Sequence, residues 1–440
     1  ASGTVGASPV THVTILCTVD SHRDGGRITG LIGRGLVLQN NAGDDLSIDF
    51  GANGDFGFAA PVASGAGYAV SVKAQPQFVH QTCTVTDGTG QVVSGPVRTV
   101  NVHCVLAAPS AQPARFAYVS GQGDNSLTAF HIDATTGALA PLPEPPTVTG
   151  RTPMGVSLHP NDRFVYVANN SDATVSAYVV QPNGMLVPAR TPTVATGAGP
   201  IFLGIDPRGR FAYAVNGSSD TVSAYRIDAT TGELTSVGTT ATDKTPFDLI
   251  VDPTGRFVYV AHSSGSVSTH LIDPTTGTLS TRITTQVGGR PNAVTMHPTG
   301  RFVYVANTSS NDVSIYAADA LTGALTPVST TPAGQGPTYI AVDPTGRFAY
   351  VANTGGEVSA YAVDADTGQL TEVTPRATAG QLPSSLAIDP TGRFVYVTNL
   401  VSNTVSTYTL NTTTGALTPN ASAPTVATGR SPQGIVLSRR

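Results

Sequence analysis

The tetrapeptide Arg-Phe-x-Tyr occurs seven times from residue 115 onward, starting at Arg115, Arg163, Arg210, Arg256, Arg301, Arg347 and Arg393. Successive copies stand 48, 47, 46, 45, 46 and 46 residues apart. A unit of that length cannot bury its apolar face alone, so neighbouring units must stack. Each unit reads as four short strands. In the copy opening at Gly336, Tyr339 to Val342 forms strand A, entered through Pro337. It ends at Asp343-Pro344-Thr345-Gly346, a turn in which proline presets φ and glycine accepts a positive φ. Strand B is Arg347 to Asn353, strand C is Val358 to Val363, and the turn Asp364 to Leu370 opens strand D. Period-two alternation of Val, Tyr, Phe and Thr is strand chemistry, and no segment carries apolar residues at helical spacing for three turns.

The ends of the repeat fix the count. The first Arg-Phe-x-Tyr strand has no strand A before it, and Ser431 to Ser438 matches Thr152 to His159 but has no strand B after it. The C-terminal strand should therefore complete the first unit, which removes two sheet edges and ties the ends together. The expected fold is all-β: a seven-bladed β-propeller over 114–440, closed by its C-terminal strand. Along strand A, Leu158, Ile205, Val251, Met296, Val342, Ile388 and Leu437 are expected to face neighbouring blades as core.

Charged residues are only 12% of the 440 and the formal net charge is −5. Disordered chains are usually richer in charge and poorer in apolar residues. No positive surplus exists to displace counterions from a nucleic acid. No apolar run approaches the ~18 residues of a membrane-spanning helix. No basic, apolar and small-residue leader stands at the start; the small, polar opening looks like a processed terminus.

Residues 27–106 lack the repeat. Runs such as Gly35 to Asn41, Asp55 to Phe58, Tyr68 to Val72 and Val97 to Cys104 read as strands between Gly, Asn and Asp turns. They predict a small Ig-like β-sandwich, with 107–113 as a linker and 1–26 as an extension. The segments GLVLQNNAGDDLSID, NGDFGF and YAVSVKAQP resemble a sandwich module common on bacterial exported and surface proteins. Cys83 and Cys104 lie in alternating runs at this unit's end and can pair or remain two buried thiols. A disulfide closing so short a loop would contribute about 3 kcal/mol and would imply an oxidising, extracytoplasmic compartment. Cys17 is then left over, available for a bond to another chain. It ends a run, 11–17, that resembles the unit's own last strand. That run reads either as the stub of a preceding module or as a detached strand that pairs with an edge in another molecule.

The repeats, with their YVAN, YVTN, DPTGRF and D-x-x-TG-x-L segments, resemble two related groups. One is the lactonase-type seven-bladed propellers, 6-phosphogluconolactonases among them; the other is the YVTN-repeat propellers of surface-layer-type proteins. The resemblance covers 115–440 and implies the fold more firmly than an activity. The lactonase group carries His or Arg-His after the proline opening particular strands A, and Glu after a strand B ending in Asn. Here the residues after that proline are Met154, Ile201, Phe247, Asn292, Thr338, Ser384 and Gln433. Those after the strand B Asn or its equivalent are Asn170, Gly217, Ser263, Thr308, Thr354 and Leu400. The group's chemical set is missing.

What remains at the mouth on the proline-entry face is Arg151, Asp248, Arg290, Asn292, Tyr339, Ser385, Arg430 and Gln433. The three arginines could grip an anionic ligand, or be solvated loop charges; a small anion or a carbohydrate is the partner such a mouth would take. Asp206, Asp252, Asp343 and Asp389, with His159 and His297, recur at one place and are expected to serve their own A–B turns rather than a cation. His262 and His270 share a blade without a carboxylate set for a metal. No cofactor motif, Ser-His-Asp set or phosphate loop is present. The sequence thus favours an exported, non-catalytic surface or assembly scaffold; self-association through 11–17 and Cys17 is a further option that the detached-strand reading opens. A lactone hydrolase with a relocated site, using Arg151, Arg290, Arg430 and Asp248, and a small-anion or sugar binder are the alternatives.

Overall fold

The computed structural model describes residues 20–439 apart from 34, 49–51, 77–80, 94 and 107–111. The extension strand at 11–17 and Cys17 lie outside the described residues. The chain divides between Val105 and Leu106 into two compact units.

The larger unit is a seven-bladed propeller. Blades 2 to 7 each run A-B-C-D in chain order, with neighbours antiparallel. Their strands A are Pro153–Leu158, Pro200–Ile205, Pro246–Val251, Pro291–Met296, Pro337–Val342 and Pro383–Ile388. Blade 1 takes its strand A from the C-terminus: Pro432–Ser438 pairs antiparallel with Phe116–Gly121. That strand also contacts the strands A of blades 2 and 7, so the ring closes. Strand D is split in blade 1 (Leu139–Pro141 and Thr147–Val148) and in blade 7 (Leu417–Pro419 and Thr425–Ala427). Prolines in those stretches, Pro143, Pro145, Pro146 and Pro424, remove ladder donors, which only an edge strand tolerates.

The repeated tetrapeptide is a clasp between blades. Each Arg lies 4.9–5.3 Å over the ring of its adjacent Phe. From there the guanidinium reaches carbonyls in the C–D turn of the next blade: Arg163 to Thr230, Arg210 to Pro274, Arg301 to Ala365, Arg393 to Ala134. In five blades the motif tyrosine donates to the glycine carbonyl of that same turn, Tyr166 to Gly232 at 2.8 Å and Tyr396 to Gly137 at 2.9 Å among them; the Tyr304 hydroxyl is buried without a partner among the described residues. The glycine has positive φ and lies against the motif Phe; a Cβ on Gly277 would stand 2.2 Å from Phe211. Where all three contacts form, as in blades 2, 3 and 7, one turn binds three side chains of its neighbour, and the motif recurs with it.

The Asp and His residues below strand A serve their turns. Asp206 Oδ1 accepts the Phe211 N–H at 2.7 Å, and Asp343 Oδ1 accepts that of Phe348 at 2.8 Å. His159 and His297 instead reach across, their Nε2 atoms 2.9 and 2.8 Å from the carbonyls of Gly209 and Gly346 in the next blade.

The smaller unit has two four-stranded sheets. One orders Gly54–Ala63, Ser21–Thr29, Val100–Leu106 and Gln81–Thr86; the other orders Asp44–Ile48, Leu36–Asn40, Gly67–Ala74 and Thr89–Gln91. Inward residues of both, including Ile28, Leu38, Phe58, Val70 and Val102, form one core. A Cys83–Cys104 disulfide joins neighbouring strands of the first sheet. Strand Ser21–Thr29 crosses the expected boundary at 26. Its sequence, SHRDGGRIT, lacks alternation because the two glycines meet backbone instead of core: a Cβ on Gly26 would lie 1.8 Å from the Val100 carbonyl oxygen. Among the described residues, no helix is long and apolar enough to cross a membrane.

Candidate functional site

All seven strands A begin the same way. The residue before the proline is left-handed in every blade, with φ between 52° and 66° at Thr152, Gly199, Thr245, Arg290, Gly336, Leu382 and Ser431. A register shift then follows the proline, as between Pro246 and Asp248 or Pro337 and Tyr339. Such a bulge re-aims the side chains beside it. Here it turns one or both of the first two residues after the proline toward the axis, where they line a cavity of about 720 Å³.

Four of the six arginine, aspartate, asparagine and tyrosine residues predicted at the mouth line that cavity: Asp248, Arg290, Asn292 and Tyr339. Ser385 and Gln433 line it too. Arg151 and Arg430 do not. They stand two residues before their prolines, whereas Arg290 stands directly before Pro291. That single step in register sends Arg151 outward, 71% exposed, to an ion pair with Asp172 at 2.6 Å. The backbone N–H of Arg430 is held by Asp124 Oδ2 in the same manner as that of Arg151 by Asp172. Arg290 makes no hydrogen bond or ion pair through its guanidinium among the described residues.

Asp248 is the unusual group. It is 6% exposed, and its Oδ2 accepts the Val294 N–H of blade 5 at 2.9 Å. Burial pushes its pKa up to about 7, against the opposing pull of N–H bonds from Val294 and Leu249. Tyr339 lies on the same ring of positions, and its phenol is pushed well up by burial and by the nearby Asp248 charge, so it stays protonated.

Other polar residues of the mouth hold blades together. Asn292 donates to the Thr338 carbonyl at 3.0 Å, Thr338 to Pro383 at 2.8 Å and Ser384 to Pro432 at 2.8 Å. The remaining wall is apolar. Met154, Ile201, Phe202, Phe247, Leu382 and Leu400 surround the opening. Deeper, Leu158, Ile205, Val251, Ile388 and Leu437 line the cavity, a correction to their expected role as interblade core alone.

The sequence model of the family described as "Lactonase, 7-bladed beta-propeller" matches residues 109–199, 183–342 and 333–431. The chain belongs to this lactonase family. No curated protein matches the sequence significantly. Among solved structures, a candidate 6-phosphogluconolactonase from Bacteroides fragilis superposes with a TM-score of 0.66 at 20% identity, covering 75% of this chain and 99% of its own. The periplasmic gluconolactonase PpgL of Pseudomonas aeruginosa gives 0.63 at 20% identity, covering 73% and 99%. A Lactobacillus plantarum protein gives 0.64 at 21% identity, covering 74% and 99%. At these identities the likeness to each structure is one of fold. This member of the lactonase family places Asp248 and Arg290 at its axial cavity; the residues after the opening prolines include no His or Arg.

Proposed function

We propose that the propeller hydrolyses a lactone in its axial cavity, with Asp248 as general base and Arg290 as the group that stabilises developing negative charge. The observation that carries this reading is a buried carboxyl of pKa about 7 opening on the family's central cavity. A base whose pKa lies near the working pH combines adequate strength with adequate population of its active form.

In the forward direction the Asp248 carboxylate takes a proton from water. The water oxygen forms a bond to the lactone carbonyl carbon, and the carbonyl electrons move onto oxygen, where the Arg290 guanidinium donates to them. Collapse of this intermediate breaks the ring C–O bond, and the leaving alkoxide takes its proton from Asp248. The product is the hydroxy acid, and Asp248 is returned to its carboxylate. Tyr339, held protonated, is placed to donate a hydrogen bond to the substrate.

The test is turnover of a panel of lactones. For an accepted substrate, kcat/KM should rise with pH through about 7. Asp248→Asn should lower kcat about 10²–10⁴-fold. Arg290→Gln should lower kcat/KM, while Arg151→Gln leaves it unchanged. Absence of turnover across the panel, or turnover indifferent to both Asp248 and Arg290, overturns the proposal.

A second reading, an exported scaffold or binding protein without catalysis, is favoured by Met154, Ile201 and Phe247 at positions where the family's basic residues are expected. The Cys83–Cys104 disulfide supports export on either reading. Ligand binding in calorimetry without turnover would select this second reading.

A further inference from the structure

The wall of the cavity is divided by chemistry. Blades 2, 3 and 4 present Met154, Ile201, Phe202 and Phe247, all half-buried with area left open. Blades 5 and 6 present Arg290, Asn292, Thr338 and Tyr339. The Asn292 amide and the Thr338 hydroxyl donate to carbonyls of the next blade, and Gln433 donates to Gln122 at 2.9 Å. The charged and hydroxyl groups left to meet a ligand are Arg290, Asp248, Tyr339 and the Ser385 hydroxyl, carried on blades 4 to 7.

A sugar-acid lactone carries a hydroxyl on nearly every carbon. Against Ile201, Phe202 and Phe247 those hydroxyls would lose water and gain no partner, which disfavours binding. An alkyl or aryl substituent gains there instead, by about 0.8 kcal/mol for each methylene removed from water. A volume of about 720 Å³ exceeds what a bare five- or six-membered ring fills.

We infer that the cavity selects lactones with an extended apolar substituent, whose carbonyl meets Arg290 and Asp248 while the substituent lies along blades 2 to 4. The naming of a lactone rests on the proposed hydrolysis; the selection of an apolar body rests on the wall alone. The experiment therefore reads binding, separately from turnover.

Calorimetry on the full chain compares two ring-opened probes that share a carboxylate and differ in body, 5-hydroxydecanoate and gluconate. The decanoate should bind at least about 30-fold more tightly. Ile201→Gln and, separately, Phe247→Ser should each weaken the decanoate about 10-fold and leave gluconate unchanged. Arg290→Met should weaken the decanoate through the lost carboxylate partner. Equal affinities, tighter gluconate, or no binding of either probe overturns the inference. Selective decanoate binding with no lactone hydrolysed sustains the inference and removes the hydrolytic reading. Hydrolysis of gluconolactone in preference to δ-decalactone does the opposite.

Discussion

Blade 4 and its neighbours solve the same packing problem with different residues. In five blades strand B ends in Asn, and its amide donates to a Ser hydroxyl on strand C: Asn169 to Ser176 at 2.8 Å, Asn216 to Ser223 at 3.0 Å, Asn307 to Ser314 at 2.8 Å, Asn353 to Ser359 at 3.0 Å, Asn399 to Ser406 at 2.9 Å. Blade 4 puts His262 there, 2.8 Å from Ser268, which in turn lies 3.0 Å from His270. His270 stands where other blades have a tyrosine such as Tyr225. Three residues before the opening proline the other blades have Gly150, Gly197, Gly288, Gly334, Gly380 and Gly429; blade 4 has Asp243. Where strand B ends in Asn that glycine is needed, because a Cβ on Gly150 would stand 2.6 Å from the Asn169 side chain. Asp248 is the only carboxylate two residues after an opening proline.

The clasp residues recur because most of them are bound by the next blade, so a change in one tends to need a change in another. The mouth is released from that constraint by the bulge, and its residues differ from blade to blade. Departures from the repeat are therefore informative where they fall on the cavity, and Asp248 is one that does.

The largest effect expected from this contrast is on stability against pH. Asp248 has its pKa raised in the fold from 3.8 to about 7. The folded chain holds this proton more tightly than the unfolded one, so stability is full below pH 4 and declines as pH rises to about 7. The loss is on the order of 4 kcal/mol. Asp248→Asn should match the wild type near pH 4 and exceed it by that order above pH 7, in denaturant unfolding of the propeller. Ser385→Ala, at the same register in blade 7, should show no such divergence. A constant offset for Asp248→Asn across pH 4 to 9 would sink the assignment of a buried, near-neutral carboxyl.

The clasp predicts a smaller difference between two glycines of similar φ. Gly277, at +81°, lies against Phe211, whereas Gly392, at +69°, has nothing within 4 Å of its Cβ position. Gly392→Ala should cost about 1 kcal/mol, the left-handed penalty alone. Gly277→Ala adds overpacking and should cost about 2–4 kcal/mol. Equal losses would mean that the turn is chosen for its backbone and that the Phe contact is incidental.

How much of this is legible in the sequence follows from the same contrast. The blade count and the closing C-terminal strand are readable because Arg, Phe, Tyr and the turn glycine must recur together. The turn roles of Asp206 and Asp343 are readable because Pro-Thr-Gly or Pro-Arg-Gly follows them. Asp248, Asn292 and Tyr339 are placed at the mouth by their distance from the proline. The exclusion of Arg151 and Arg430 is written in that same distance, but only the bulge gives one residue's shift its consequence. The apolar wall is hidden because wall and core positions look alike in sequence. Val251 and Ile388 alternate as interblade residues do, and nothing local says that an axial space lies beside them.

The smallest effect concerns the histidines that replace aspartate below strand A. His297 Nδ1 accepts the Thr299 N–H at 3.2 Å, which places the proton on Nε2, donated to Gly346 at 2.8 Å. Burial lowers its pKa below 6.5, outweighing the Gly346 bond and the Asp343 charge, which favour the imidazolium. The unfolded chain therefore binds this proton first. Stability from His297 is full above pH 6.5 and is lost as pH falls below it, the reverse of the slope at Asp248. His297→Asn should leave unfolding at pH 8 nearly unchanged apart from the lost interblade bond, about 1 kcal/mol, and should flatten the decline below pH 6.5. A wild type and a His297→Asn variant that lose stability in parallel on acidification would show that the imidazole is not what makes blade 5 acid-sensitive.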